Sequence, residues 1–251
     1  MSASKPPHLT ILTGASRGLG LAMAQQLLAE GDQRLLTISR RPHAGLQGPA
    51  LEQWAMDLAD AMPVAQRLEA WMDALPPGSV ASLTLIHNAA LLSKMAALSE
   101  IDAAGLREAL RVGLEAPLLL SSAFLRAGAR LRLPMKLLGI SSGLGRSAMQ
   151  GSASYCAVKA GLDHLFRALA LDEAAKPQGS KVCSLAPGVI DTDMQVQLRS
   201  SPPEQFTQAA RFRALKEEGR LDSPAEAAAK VLAYLRRGDF GSKPVADVRE
   251  P

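Results

Sequence analysis

The stretch Leu9-Thr10-Ile11-Leu12-Thr13-Gly14-Ala15-Ser16-Arg17-Gly18-Leu19-Gly20 decides the fold. Residues 9–13 are apolar or β-branched and read as a short strand. Three glycines follow, and from Leu21 to Glu30 the apolar positions recur with a helical period. Glycines at a strand-to-helix turn permit a tight bend. They also let backbone N–H groups approach a pyrophosphate at the helix N-terminus. The spacing differs from Gly-x-Gly-x-x-Gly, and a glycine loop by itself is often only a turn. The strand–loop–helix setting is what favours a dinucleotide site.

Outward from this unit, apolar runs and helical patterns alternate. Strands are predicted at 35–39, 54–56, 82–87, 135–141, 181–185 and 245–248, and helices at 61–75, 102–125, 152–176 and 225–237. Pro117 lies inside the second of these helical patterns and predicts a kink. Ser223 with Pro224 and Glu226 has the spacing of a capped helix start. Residues 189–223 carry no strand pattern, and 204–218 reads as a helix within an insertion. No repeat or linker divides the chain. The fold class is therefore α/β, a Rossmann-like doubly wound parallel sheet in a single domain over 1–251, with 1–7 flexible.

The 251 residues are 47% hydrophobic, ample for a core, but aromatics are only 4%, so that core is aliphatic. A net charge of +4 is mild and its basic residues are scattered, which gives no nucleic-acid surface. No window reaches a membrane span, and the polar start has no apolar signal core, so a soluble cytoplasmic protein is expected. Cys156 and Cys183 form no disulfide framework and read as small buried residues. The histidines make no metal spacing with them, and His87 at a strand end reads as structural.

A second stretch carries chemistry: Ser142 ends an apolar run, and Tyr155-x-x-x-Lys159 follows on a predicted helix. Tyr155 and Lys159 then share a face at i and i+4. A free tyrosine has a pKa of about 10, so only about one in a thousand is ionised near neutrality. A cation beside the phenol is expected to lower that value. Ser142 has a hydroxyl suited to holding a carbonyl oxygen beside the phenol. Such a set moves a proton onto or off a C–O bond and needs a source of hydride.

Together these motifs resemble the short-chain dehydrogenase/reductase family over nearly the whole chain. The matching residues are Thr13–Gly20, Asp57-Leu58, Asn88-Ala89, Ser142/Tyr155/Lys159 and Pro187-Gly188-x-x-x-Thr192. The resemblance implies a nicotinamide cofactor and reversible ketone/alcohol hydride transfer, with Ser142, Tyr155 and Lys159 catalytic. It implies that Gly14, Ser16, Arg17, Gly18, Leu19 and Gly20 border the cofactor. Asp57, Leu58, Asn88, Gly188, Ile190 and Thr192 are expected there too, along with Tyr155 and Lys159. Residues 187–195, Leu215-Lys216-x-x-Gly219-x-Leu221 and Gly241-Ser242 look like the sepiapterin reductase and benzil reductase branch. In that branch the C-terminal segment approaches the substrate. Gly188 and Asp247 then join Ser142 and Tyr155 as substrate contacts, with 194–220 as a cover. Asp247 reads equally well as a solvated terminal charge.

NAD sites usually place an acid at the end of the second strand. Here that position reads Ser39-Arg40-Arg41, with Arg17 in the glycine loop. Guanidinium groups suit a 2′-phosphate, so NADP is expected, although an exposed basic pair is the plainer reading. The family also has an asparagine where this chain has Gly113, and glycine has no side chain to support a proton relay through lysine. A dinucleotide-binding sensor with weak chemistry is therefore the rival to a carbonyl reductase acting on a diketone or pterin side chain. Helices 102–126 and 152–176 carry apolar residues on more than one face. By resemblance they pair across a homodimer or homotetramer; otherwise they are buried within one subunit.

Overall fold

A computed structural model of the chain describes residues 5–200, 206 and 208–250. Among these, seven parallel strands form one sheet in the order β3-β2-β1-β4-β5-β6-β7. In chain order they are β1 His8–Thr13, β2 Gln33–Ser39, β3 Leu51–Ala55, β4 Ser82–His87, β5 Met135–Ile140, β6 Lys181–Ala186 and β7 Val245–Asp247. The helices are α1 Gly18–Ala29, α2 Ala61–Asp73, α3 Ala103–Leu110, α4 Ala116–Leu131, α5 Ala153–Ala174, α6 Asp193–Ser200, α7 Ala209–Glu217 and α8 Pro224–Arg236. Strand order reverses between β1 and β4, which opens a crevice at the C-terminal ends of the strands.

Alternation along the strands builds two apolar layers. Leu9, Ile11, Leu83, Leu85 and Leu137 face α2, α4 and α5, where they meet Leu68, Phe124 and Phe166. Leu12, Ile86, Leu138 and Leu185 face α1 and α8, where they meet Met23, Val231 and Leu232. Each such side chain contributes about 1.5–3 kcal/mol by burial, and parallel strands need both faces covered.

Local signals account for most boundaries. Ser223 accepts from the Glu226 N–H and Glu226 returns the bond, so the expected capping box starts α8. The long helix expected over 102–125 is instead broken. Residues Arg111–Glu115 form a π-turn between α3 and α4, with the Ala116 N–H bonded to the Arg111 carbonyl. The bend therefore precedes Pro117. Proline has no N–H for the carbonyl four residues back, Gly113, and its ring crowds that carbonyl.

The insertion holds two helices, α6 and α7, rather than one over 204–218; positions 201–205 and 207 lie outside the described residues. Ile190 pairs with Asp222 in an isolated parallel bridge that closes the base of this insertion. At the other end, residues 1–4 lie outside the described part. Pro7, expected to be flexible, is tied to the sheet by the Ala81 N–H at 2.8 Å. Cys183 is fully buried as expected, but Cys156 is only partly covered because it faces the loop before α5. None of the described helices is long and apolar enough to cross a membrane.

Candidate active site

A cleft of about 1410 Å³ runs along the strand ends. That exceeds the roughly 300–1,000 Å³ of an ordinary small-ligand pocket and leaves room for two molecules. One end is lined by Gly14, Ser16, Arg17, Gly18, Leu19 and Gly20, the other by Ser142, Tyr155 and Lys159.

The glycine loop is a backbone cradle. Gly14 and Gly18 have φ of +73° and +55°, values that favour glycine. A Cβ on Gly20 would lie 2.1 Å from the Gly14 carbonyl oxygen and 2.5 Å from Asn88 Nδ2. The start of α1 carries no acidic residue and no side-chain cap, so its N–H groups and dipole suit an anion. Asn88 donates its amide to the carbonyls of Thr13 and Gly14 at 3.1 and 3.0 Å. The Thr13 hydroxyl accepts from the N–H groups of Asn88 and Ala89 at 3.0 and 3.1 Å, which locks this turn to β1. These contacts fit the phosphates of a dinucleotide.

Ser39, Arg40, Arg41, Asp57 and Leu58 line the same end. The Ser39 hydroxyl accepts from the Ala15 N–H at 2.9 Å, so it serves the loop. Asp57 accepts from the Ala59 N–H at 2.9 Å and caps a short 3₁₀ turn, while Leu58 is buried beneath. Arg40 pairs with Glu108 at 3.3 Å and Arg17 with Asp193 at 3.0 Å, both pairs well exposed. Thr192 lies opposite Gly18, its Cγ2 3.4 Å from where a Cβ would stand. Gly188, at φ +84°, and Ile190 complete the wall.

Ser142 stands just beyond β5, and its Oγ accepts from the Leu144 N–H at 3.2 Å. Tyr155 is in the first turn of α5, and Lys159 is one turn on. Lys159 Nζ donates to the Ile140 carbonyl at 2.6 Å and lies 5.6 Å from the Tyr155 ring centroid. Burial pushes the lysine down to about 8, with Asp163 opposing. Burial also pushes the Tyr155 phenol up to about 12, against the hydrogen bond of Ser142. The expected lowering of this phenol by Lys159 is not seen: the ammonium donates to a backbone carbonyl, and burial raises the phenol.

The family model described as short chain dehydrogenase matches residues 8–203. The chain belongs to this family. A benzil reductase ((S)-benzoin forming) of Bacillus cereus is 33% identical over 247 residues, 96% of this chain and 98% of its own. A sepiapterin reductase of Rattus norvegicus is 32% identical over 249 residues, 92% of each chain. The solved KRED1-Pglu enzyme has a TM-score of 0.80 at 24% identity, covering 95% of this chain and 99% of its own, a likeness of fold. This short-chain dehydrogenase is an oxidoreductase working between carbonyl and alcohol with a nicotinamide cofactor.

One sequence-derived site residue of this short-chain dehydrogenase departs from its solvated-charge reading. Asp247 is 5% exposed, so it is not a solvated charge. Its oxygens accept from Arg249 Nε and Nη2 at 2.8 and 2.6 Å, and Arg146 Nη2 lies 3.9 Å away. Arg249, rather than Asp247, lines the cleft. Sequence reasoning also missed Asp163, which is fully buried beneath the site and accepts from the Ser141 and Ser184 hydroxyls. Its place four residues beyond Lys159, on the same helix face, was the available signal.

Proposed function

We propose that the protein is an NADPH-dependent carbonyl reductase that takes an apolar ketone or diketone. The observation that carries this reading is the placement of Ser142, Tyr155 and Lys159 on one wall of a cleft whose far end is the Gly14–Gly20 cradle. When bound, the reduced nicotinamide supplies the hydride. Ser142 and Tyr155 hold the carbonyl oxygen. Tyr155 gives that oxygen a proton as negative charge builds on it. A phenol at about 12 stays protonated at neutral pH, and an alkoxide is the stronger base, so the transfer runs downhill. Lys159 as an ammonium stabilises the phenolate left behind and reaches the nicotinamide ribose. Holding the partners in line supplies much of the rate.

Basic groups without a competing acid at the end of β2 support NADP over NAD. The ion pairs Arg17–Asp193 and Arg40–Glu108 are exposed and worth at most about 1 kcal/mol, so a phosphate can draw the guanidinium groups away. Leu144, Met149, Leu198, Phe212 and Leu215 in the cleft wall favour an apolar substrate. Leu198, with Phe206 and Ala209, also packs on Met95, which supports α6 and α7 as a cover of the cleft. The names of the benzil and sepiapterin reductases support a diketone or a pterin side chain as substrate. Asp247 is committed to Arg249, which favours the diketone. The apolar groove on α3 and α4, with Leu110 and Leu118 exposed, supports a homodimer.

The test is NADPH oxidation with benzil, followed at its absorbance. Turnover that is lost in Tyr155→Phe supports the assignment, and undiminished turnover in that variant refutes it. Tight NADPH binding with no turnover of any carbonyl would instead favour the sensor suggested by Gly113.

A further inference from the structure

Three consecutive residues at the end of β5 meet three residues spaced one turn apart on α5. The Ile140 carbonyl accepts from Lys159 Nζ at 2.6 Å. The Ser141 hydroxyl donates to Asp163 Oδ1 at 2.5 Å. Ser142, the next residue, lines the cleft with Tyr155 and works against the burial that raises its phenol. The proposed chemistry uses Tyr155, Lys159 and Ser142. It leaves Asp163 without a task.

Asp163 is costly to keep where it is. It is 0% exposed. Its Oδ1 also accepts from the Ser184 hydroxyl at 2.7 Å, while Oδ2 accepts no hydrogen bond. Arg146 Nε stands 3.9 Å from Oδ2. Gly145 lies over the same oxygen, where a Cβ would come within 2.6 Å. Neutral hydroxyls fix a carboxylate in place but do not balance its charge. A buried anion needs a cation close by. The cations at hand are Arg146 at the rim and Lys159 one turn back on α5.

We infer that Asp163 is a positioning residue of the active site: its fixed negative charge keeps the buried Lys159 an ammonium, and through Ser141 it pins the strand end that carries Ser142. The inference rests on the reductase reading, in which Lys159 acts as a cation. Gly113 in the π-turn offers Lys159 no side chain, and a Cβ there would lie 2.4 Å from Val158 Cγ1. Asp163 supports the lysine from the opposite direction along α5.

The groups around Lys159 carry both signs of charge. From α5 come Tyr155 and Asp163, from the turn after β5 Arg146, from β6 Cys183, from β7 Asp247, and from the turn beyond it Arg249. Burial holds Cys183 and Tyr155 neutral, each pushed up to about 12, and holds His87 of β4 neutral at about 3. Removing the Asp163 charge leaves Lys159 beside Arg146 with less to offset either. The lysine then sheds its proton at lower pH. Removing Arg146 acts in the opposite direction.

The experiment uses Asp163→Asn, which keeps an oxygen for both hydroxyls but loses the charge, and Arg146→Gln. Two readouts are taken: the pH profile of kcat/KM, and the titration of Lys159 in [15N]lysine-labelled protein without substrate, assigned with Lys159→Met. In Asp163→Asn the alkaline limb and the lysine titration both move down by about one unit, so kcat/KM above the limb falls about tenfold. In Arg146→Gln both move up. A folded Asp163→Asn protein with wild-type Lys159 titration overturns the inference. If that variant does not fold, Arg146→Gln decides: an upward shift supports the inference and no shift overturns it. Full turnover in Tyr155→Phe would sink the reductase reading separately, leaving the substrate-free titration to judge Asp163.

Discussion

Asn88 holds the carbonyl of Gly14 at 3.0 Å, joining the end of β4 to the first glycine of the loop after β1. These strands flank the point where the sheet order reverses, so one amide sets the width of the crevice there. Asn88→Ala removes two hydrogen bonds and leaves the carbonyls of Thr13 and Gly14 short of a donor. It should lower stability by about 2 kcal/mol in denaturant melts and weaken NADPH binding by calorimetry. Unchanged affinity would show that the loop holds its shape without this staple.

Restoring the family asparagine should not by itself improve the enzyme. In Gly113→Asn the new side chain meets Val158, and overpacking of this kind costs about 1–3 kcal/mol. The double variant Gly113→Asn/Val158→Ala makes the room. Its melting temperature should exceed that of the single variant. Equal values would mean that Val158 is not the obstacle.

Burial of His87 predicts acid sensitivity. The ring nitrogen bonds Ser121 at 2.8 Å, and burial pushes its pKa down to about 3 from 6.5. An unfolded chain binds a proton here that the fold refuses. The stabilising contribution is thus complete above 6.5 and is lost as pH falls toward 3. Stability measured against pH should fall more steeply over that window in the wild type than in His87→Gln. Parallel curves would place the acid sensitivity elsewhere.

Cofactor choice should yield to the basic pair after β2. Arg40→Ala/Arg41→Ala should raise KM for NADPH tenfold or more, on the order of 1.4 kcal/mol, and change KM for NADH little. Thermal stability should hardly move, since Arg40–Glu108 is an exposed pair. An equal loss with both cofactors would count against a 2′-phosphate site.

Leu110 and Leu118 are 45% and 47% exposed on the face of α3 and α4. Leu118→Glu should shift a dimer toward monomer in size-exclusion chromatography with light scattering. A wild-type protein already monomeric would remove the basis for this expectation.

The motifs that build the site were legible because their geometry is local. Tyr155 and Lys159 share a face by helical period alone, and the strand, glycines and helix of 9–30 are contiguous. The capping box of α8 needs only Ser223 and Glu226. The π-turn was hinted at by Pro117, but its register depends on how α3 and the turn itself pack against α5, so it fell on Arg111–Glu115. For Asp163 the spacing from Lys159 was legible, but its burial and its partners were not. Its partners Ser141 and Ser184 come from the ends of β5 and β6, and nothing in the chain order joins them.

The sequence by itself determined the parallel sheet, the cradle at Gly14–Gly20 and the family, since period and short spacings follow from residue type. Tertiary structure alone decided the electrostatics. Packing β5 and β6 against α5 buries Lys159 and Asp163 and half-buries Tyr155, and desolvation then sends the phenol up and the lysine down. Charge energies depend on surroundings brought from across the chain, and no spacing within one segment encodes them.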